Sequence, residues 1–194
     1  MHPGPGSSPR AGVVIPLRAF ANGKARLAAV MDDLERTALA RSMADCVVEA
    51  GGTLPMVVVS SAPEVRAWAE TRTLEVVEDP GAGLDAAARE GVQWFRARGF
   101  DRVIVAHADL PRARPGSLEP FADLAPGAVV IVPSHRDDGT PVLSIPVHPP
   151  FPFAYGVGSA HRHAQIAREL GLAVQLVRDD ELGYDVDLPE DLLS

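Results

Sequence analysis

The segment Val103-Ile104-Val105-Ala106-His107-Ala108-Asp109-Leu110-Pro111 constrains the fold more than any other stretch of the chain. Its β-branched apolar start suits a strand buried on both faces, the habit of parallel sheets covered by helices. A carboxylate follows, and a proline two residues later stops the strand. Asp109 is therefore expected at the carboxyl end of a central parallel strand, the edge where open α/β sheets bind ligands. A carboxylate there suits a divalent cation. The other reading is that Asp109 only shapes the turn into Pro111.

The rest of the chain alternates strands with helices. Strands are expected at Ala11–Leu17, Pro55–Ser60, Leu74–Val77, Ala128–Val132, Val142–Val147 and Ala173–Val177. Helices are expected at Asp33–Ala50, Pro63–Glu70, Asp85–Arg98, Leu118–Leu124 and His161–Leu170, with a closing helical turn over Asp187–Leu192. On the first helix, Leu39, Met43, Cys46, Val47 and Ala50 share one stripe, and Gly51-Gly52 ends it. Such alternation predicts an α/β, three-layer α/β/α, Rossmann-like fold with a mostly parallel mixed sheet. Residues 11–194 are read as one domain, a length that supports a sizeable core. The Pro/Gly/Ser-rich Met1–Arg10 stretch is read as a disordered tail.

Charge and cysteine usage narrow the partners. A net charge of -8 argues against a nucleic-acid or anionic-membrane surface, though not against a nucleotide held by a local basic cluster. One cysteine excludes an internal disulfide framework and a cysteine-rich zinc site, and Cys46 is expected to be a buried thiol. The start lacks the apolar core of a signal peptide, and no apolar run is long enough to span a bilayer. The expected location is cytoplasmic.

Five further stretches carry candidate chemistry. In the first loop, Lys24 is the only lysine; the other basic residues among the 18 are arginines. Arg18, Lys24 and Arg26 can surround a triphosphate, with Gly23 letting the backbone approach. The loop is not a P-loop, and a solvated basic loop explains it equally. Asp85 is either a helix N-cap or a pair of acceptors matched to the N–H edge of guanine. Thr140, after Asp137-Asp138-Gly139, offers a hydroxyl to an anion or merely follows a surface turn. Gly156-Val157-Gly158-Ser159 leads into a helix whose free N–H groups would bind an anion, with Arg162 and His163 adding charge or hydrogen bonds. The alternative there is an ordinary Ser159 cap and a solvated face bearing His161, Arg162 and His163. Finally, Asp185 and Asp187 face the same way if that stretch is extended, and Asp187 with Glu190 also resembles a capping box. Two separated carboxylates, Asp109 and Asp187, would make a hard-oxygen site for magnesium.

Taken together, these motifs resemble the 2-phospho-L-lactate or phosphoenolpyruvate guanylyltransferases of coenzyme F-420 biosynthesis. That family is related in fold to the nucleotidyltransferases that activate sugars and the molybdenum cofactor (GT-A/MobA-like). The resemblance spans about Val13 to Leu192. It is carried by Arg18 through Lys24-Ala-Arg-Leu27, Ala108-Asp-Leu-Pro111, Gly139-Thr140, Gly156-x-x-Ser159 with Arg162-His163, and Asp185-Val-Asp-Leu-Pro-Glu-Asp-Leu192. It implies GTP along the carboxyl edge of the sheet, magnesium on Asp109 and Asp187, and a triphosphate neutralised by Arg18, Lys24 and Arg26. It also implies a three-carbon phospho-acid held by Thr140, Gly156 and Ser159. Its labile product implies a downstream transferase as partner, and a homodimer is compatible with it. Alternatives are a same-fold enzyme for another NTP or acceptor, such as 3-phospho-D-glycerate, and a non-catalytic nucleotide-binding subunit. The chain departs from the family at Arg18 (usually lysine), Asp85 (usually asparagine), His107 (usually smaller or uncharged) and Ala160 (a hydroxyl in some relatives).

Overall fold

A computed structural model describes residues 10–21, 24–136 and 138–193. The expected tail, apart from Arg10, therefore lies outside the described residues, as do Gly23 and Asp137.

The elements run β1 (Ala11–Pro16), α1 (Asp33–Ala50), β2 (Met56–Val59), α2 (Pro63–Glu70), β3 (Glu75–Val77) and α3 (Leu84–Arg96). They continue with β4 (Arg102–Ala106), β5 (Ala128–Val132), β6 (Val142–Pro146), α4 (Ser159–Glu169) and β7 (Ala173–Leu176). Short 3-10 turns occupy Ala25–Ala29, Glu119–Phe121 and Pro189–Leu193. The strands form one seven-stranded sheet in the order β3-β2-β1-β4-β6-β5-β7. Every neighbouring pair is parallel except the two made by β6, which runs against both β4 and β5.

Alternate side chains of each buried strand feed opposite cores, as the pleat requires. Val13, Ile15, Val58, Ile104 and Ala106 pack with α1 and α2. Val14, Val57, Val103, Val105 and Leu143 pack with α3 and α4 on the other face. The result is the expected three-layer arrangement. Helix α3 comes unusually close to β1 because two glycines permit it: a Cβ on Gly91 would stand 2.3 Å from Val14 Cγ1, and one on Gly12 would stand 2.2 Å from the Phe95 ring.

Several boundaries and contacts differ from expectation. Asp32, with Glu35, makes the capping box that starts α1. The α1 stripe is buried at Ala40, Met43, Ala44, Val47 and Ala50, while Leu39 and Cys46 are only half-buried. Burial and the nearby Glu49 and Asp45 carboxylates push the Cys46 thiol up, away from reactive thiolate. Helix α3 begins at Leu84 because Gly83 takes the capping position at φ 88, so Asp85 is not a cap. Helix α4 begins at Ser159, two residues earlier than expected, with Gly158 as its left-handed cap. In place of a helix over Leu118–Leu124 there is only the short turn Glu119–Phe121.

Candidate active site

The site is assembled at the carboxyl edge of β1 and β4. A small apolar cluster of Leu27, Met43, Tyr184 and Val186, separate from the two main cores, ties the first loop and the C-terminal segment to α1. Leu27 lies three residues after Lys24, and Val186 immediately precedes Asp187. The Val186 N–H also donates to the Asp109 carbonyl at 3.3 Å, so backbone fixes one acidic segment beside the other.

Lys24 and the two aspartates consequently meet. Lys24 Nζ donates to Asp109 Oδ2 at 2.5 Å and to Asp187 Oδ1 at 2.9 Å. Lys24 adopts a left-handed backbone, φ 56 and ψ 40, which turns its side chain into this position. Burial alone would lower the Lys24 pKa, but Asp109 and Asp187 outweigh it and hold the ammonium above its ordinary value. Burial would likewise raise Asp109; Lys24 and His107 prevail and hold its carboxyl below the ordinary range. The other Asp109 oxygen, Oδ1, is buried without a partner. That orphaned acceptor, beside a carboxylate pair already gathered around a positive charge, fits a divalent cation. Among the described residues no three His, Cys, Asp or Glu side chains cluster as metal ligands. The pair therefore suits an ion such as magnesium, which takes one or two carboxylates and completes its shell with waters and substrate phosphates.

A second tier of residues holds Asp187 in place. Asp191 Oδ2 accepts from the N–H groups of Asp187 at 2.9 Å and Leu188 at 2.8 Å, and its Oδ1 pairs with Arg136. The resemblance of Asp187 and Glu190 to a capping box is thus corrected: the carboxylate that reaches back belongs to Asp191. Neither Asp191 nor Arg136 was singled out from sequence, although an aspartate four residues beyond Asp187 is the signal that a turn begins there. Asp185 accepts from Ser134 Oγ at 2.7 Å, while its burial raises its pKa against that bond.

Two cleft halves meet at this carboxylate pair. One, of about 250 Å³, is lined by Leu17, Arg18, Lys24, Leu84, His107 and Asp109. It adjoins a further hollow of about 220 Å³ that reaches Asp79 and Gly83. The other half, of about 350 Å³, is lined by Arg26, Asp109, Thr140, Gly156, Ser159 and Asp187 among others. His107 and Leu84 belong to both halves. Asp85 lines neither half. Its Oδ1 accepts from the Tyr155 N–H at 2.8 Å, fastening the loop before α4 to α3.

Three expectations about the glycine-led turn are corrected. The first two N–H groups of α4 are not free for an anion: Ser159 N–H bonds Gly156 O at 2.9 Å and Ala160 N–H bonds Asp138 O at 2.8 Å. Arg162 does not face an anion. Its guanidinium donates to the carbonyls of Ala154, Tyr155 and Val157, which staples the turn to the helix. His163 is neither on a solvated face nor in the cleft. It is fully buried, with Nδ1 3.0 Å from Thr140 Oγ1 and Nε2 accepting from the Ala154 N–H at 3.0 Å. Burial holds this imidazole neutral, with its pKa down at about 4. Thr140 and Ser159 do stand together, their hydroxyls 2.8 Å apart.

Known proteins resemble this chain over nearly its whole described length. The family model described as "Guanylyl transferase CofC like" matches residues 11–194. A phosphoenolpyruvate guanylyltransferase from Chloroflexus aggregans is 30% identical, over 93% of this chain and 94% of its own. A 3-phospho-D-glycerate guanylyltransferase from Phenylobacterium zucineum is 32% identical, over 93% of this chain and 87% of its own. Among solved structures, a 4-diphosphocytidyl-2C-methyl-D-erythritol synthase from Anaerococcus prevotii superposes with a TM-score of 0.63 at 10% identity, covering 94% of this chain and 93% of that one. That likeness establishes the fold class, the one shared by nucleotidyltransferases. Its sequence match over nearly the whole described length makes this chain a member of the CofC-like guanylyl transferase family.

Proposed function

We propose that this protein transfers the guanylyl group of GTP to the phosphate of a small three-carbon phospho-acid and releases pyrophosphate, a step of coenzyme F-420 biosynthesis. The observation that carries the reading is the convergence of Asp109, Asp187 and Lys24 where the two cleft halves join. Reacting groups brought in from either side would meet there.

In this reading GTP occupies the half bounded by Arg18 and Lys24. The cationic side chains Arg18, Lys24 and Arg26 neutralise the triphosphate, which lets an anionic acceptor approach it. A phosphate oxygen of the acceptor attacks the α-phosphorus, the bond from that phosphorus to the β-phosphate oxygen breaks, and pyrophosphate leaves with the bonding electrons. The acceptor phosphate is already ionised near neutral pH, so the residues need only align the partners and offset charge. When bound on Asp109 and Asp187, magnesium would supply further charge neutralisation for the phosphates. Asp85, which lines neither half, serves the site by fastening the Tyr155 loop to α3.

Phosphoenolpyruvate or 2-phospho-L-lactate is the favoured acceptor, and the Phenylobacterium relative's name keeps 3-phospho-D-glycerate in the set. The test is incubation with GTP, magnesium and each acid, reading pyrophosphate release and product mass, with the other NTPs in parallel. A product at the mass of GMP joined through a phosphoanhydride to the phospho-acid supports the proposal. Nucleotide binding without pyrophosphate release from any pairing would instead mark a non-catalytic subunit. The phosphoanhydride product is labile, so a transferase that consumes it directly is the expected partner.

A further inference from the structure

The hydroxyl pair Thr140–Ser159 is buried at the wall of the second cleft half, and His163 touches it from behind. Two contacts are made, Ser159 to Thr140 and Thr140 to His163, and the two hydroxyls own two protons between them. If His163 Nδ1 accepted, Thr140 would have to donate to it and Ser159 would have to donate to Thr140. No hydroxyl proton would remain, and the pair would present only lone pairs to the cleft. If His163 Nδ1 donates, one proton serves the bond between the hydroxyls and the other is uncommitted. The choice is made by the backbone. The Ala154 N–H points at Nε2, which must therefore be the unprotonated nitrogen of a neutral ring, so the proton sits on Nδ1.

We propose that His163 is a positioning residue that orients this relay, so that Thr140–Ser159 always offers one O–H donor to an anionic oxygen of the acceptor. The chain of bonds runs from Ala154 N–H to His163, from His163 to Thr140, and from the hydroxyl pair into the cleft. The first two N–H groups of α4 are bonded to Gly156 and Asp138, and the hydroxyl pair supplies a donor at this wall. Phe151, Phe153 and Tyr155 surround the imidazole and hold it in one orientation. The inference rests on the reading of this half as the acceptor site. It identifies what the site asks of its ligand: an oxygen that accepts a hydrogen bond, for which the anionic oxygen of a carboxylate or phosphate is the strongest partner.

The tautomer can be read without any substrate. In the 15N-labelled protein near pH 7, the His163 imidazole, assigned by comparison with His163→Asn, is expected to carry its proton on Nδ1. A proton on Nε2, or an imidazolium, overturns the proposal. The kinetic arm uses phosphoenolpyruvate and GTP. His163→Leu is expected to raise KM for phosphoenolpyruvate by roughly tenfold and leave KM for GTP unchanged, as loss of one oriented hydrogen bond predicts. His163→Asn, whose amide can place a donor near the Nδ1 position, is expected to stay within about threefold of the native value. Equal rises for both substrates, or no rise with leucine, would make His163 a packing residue and reject the relay. If no phospho-acid is turned over at all, the acceptor reading fails on its own, and the tautomer still decides the relay.

Discussion

Replacing Lys24 by methionine removes the ammonium from between Asp109 and Asp187 while keeping most of the side-chain volume. The Lys24 side chain is 10% exposed and that of Asp109 24%, whereas that of Asp187 is 46% exposed. At contact distance each attraction amounts to about 6 kcal/mol gross for an effective dielectric near 20. Desolvation of the buried ammonium and of Asp109 offsets most of this, and water screens the Asp187 arm further. The net loss expected is about 2 kcal/mol, between the values for exposed and fully buried pairs. For a chain of this size that lowers Tm by roughly 4–8 °C. Methionine adds no new backbone strain, because any residue with a Cβ meets the same left-handed backbone that Lys24 adopts. Two carboxylates would then face each other without a counter-charge, so millimolar magnesium should restore part of the lost Tm in the variant and change the native protein little. Turnover should fall by about 10²–10³, the size of effect seen when a charge-stabilising donor is removed. Scanning calorimetry with and without magnesium, beside a pyrophosphate-release assay, reads both. A variant that melts with the native protein and turns over GTP normally would refute the claim that Lys24 neutralises the carboxylate pair and the triphosphate.

Asp109→Asn and Asp187→Asn should each lower kcat/KM by about 10²–10³ with an unchanged circular dichroism spectrum; near-native turnover in either would remove that residue from the site. Asp191→Ala leaves the Asp187 and Leu188 N–H groups without their partner and Arg136 with only Glu190, and should cost about 2 kcal/mol by denaturant titration and lower turnover about tenfold. If it costs stability but leaves turnover native, Asp191 does not set the Asp187 geometry. Asp85→Ala should leave the preference for GTP over ATP unchanged, because Asp85 ties the Tyr155 loop and lines neither cleft half; a blurred preference in competition assays would instead make it a reader of guanine. For His163 the pKa falls from 6.5 in the unfolded chain to about 4 in the fold, through burial first, opposed by Asp85 and aided by Arg162 and His107. The unfolded chain binds the extra proton between those values, so the contribution is complete above pH 6.5 and is lost as pH falls towards 4. Its size is on the order of 3 kcal/mol, and His163→Leu should flatten that part of the stability profile.

What the sequence disclosed and what it hid follow different physics. Helix α1 and strand β5 were bounded correctly because their signals are local: apolar period, glycine stops and β-branched runs. The approach of Lys24 to Asp109 and Asp187 spans 85 and 163 residues along the chain, and no periodicity encodes it. It depends on the small Leu27–Met43–Tyr184–Val186 cluster, whose members look like unremarkable apolar positions one at a time. Arg162 and His163 misled for a related reason. Charged and polar residues after a glycine turn suggest a ligand, but here the turn's own carbonyls and the Thr140 hydroxyl claim them. Side chains that build a site and side chains that touch its ligand have the same composition.

The least legible feature of the sheet is the one on which the two-sided cleft depends. Val142–Pro146 has the apolar character of a parallel strand, and nothing in its residues gives its direction. Because β6 runs against β4, the segment that enters it lies at the same sheet edge as the segment that leaves β4, and Ala106 pairs with Val142. The His107 N–H then bonds the Pro141 carbonyl at 2.9 Å, which sets Thr140 beside the His107–Asp109 turn. Had β6 been parallel to β4, Thr140 would have entered the sheet from the opposite edge, a full strand length from Asp109, and His163 would have had no hydroxyl to orient. The reversal also brings β5 back parallel to β4, so that Pro133 and Ser134 leave the sheet on the active edge and Ser134 reaches Asp185 at 2.7 Å. One inverted strand thus converts a conventional nucleotide-binding edge into a cleft with a second wall.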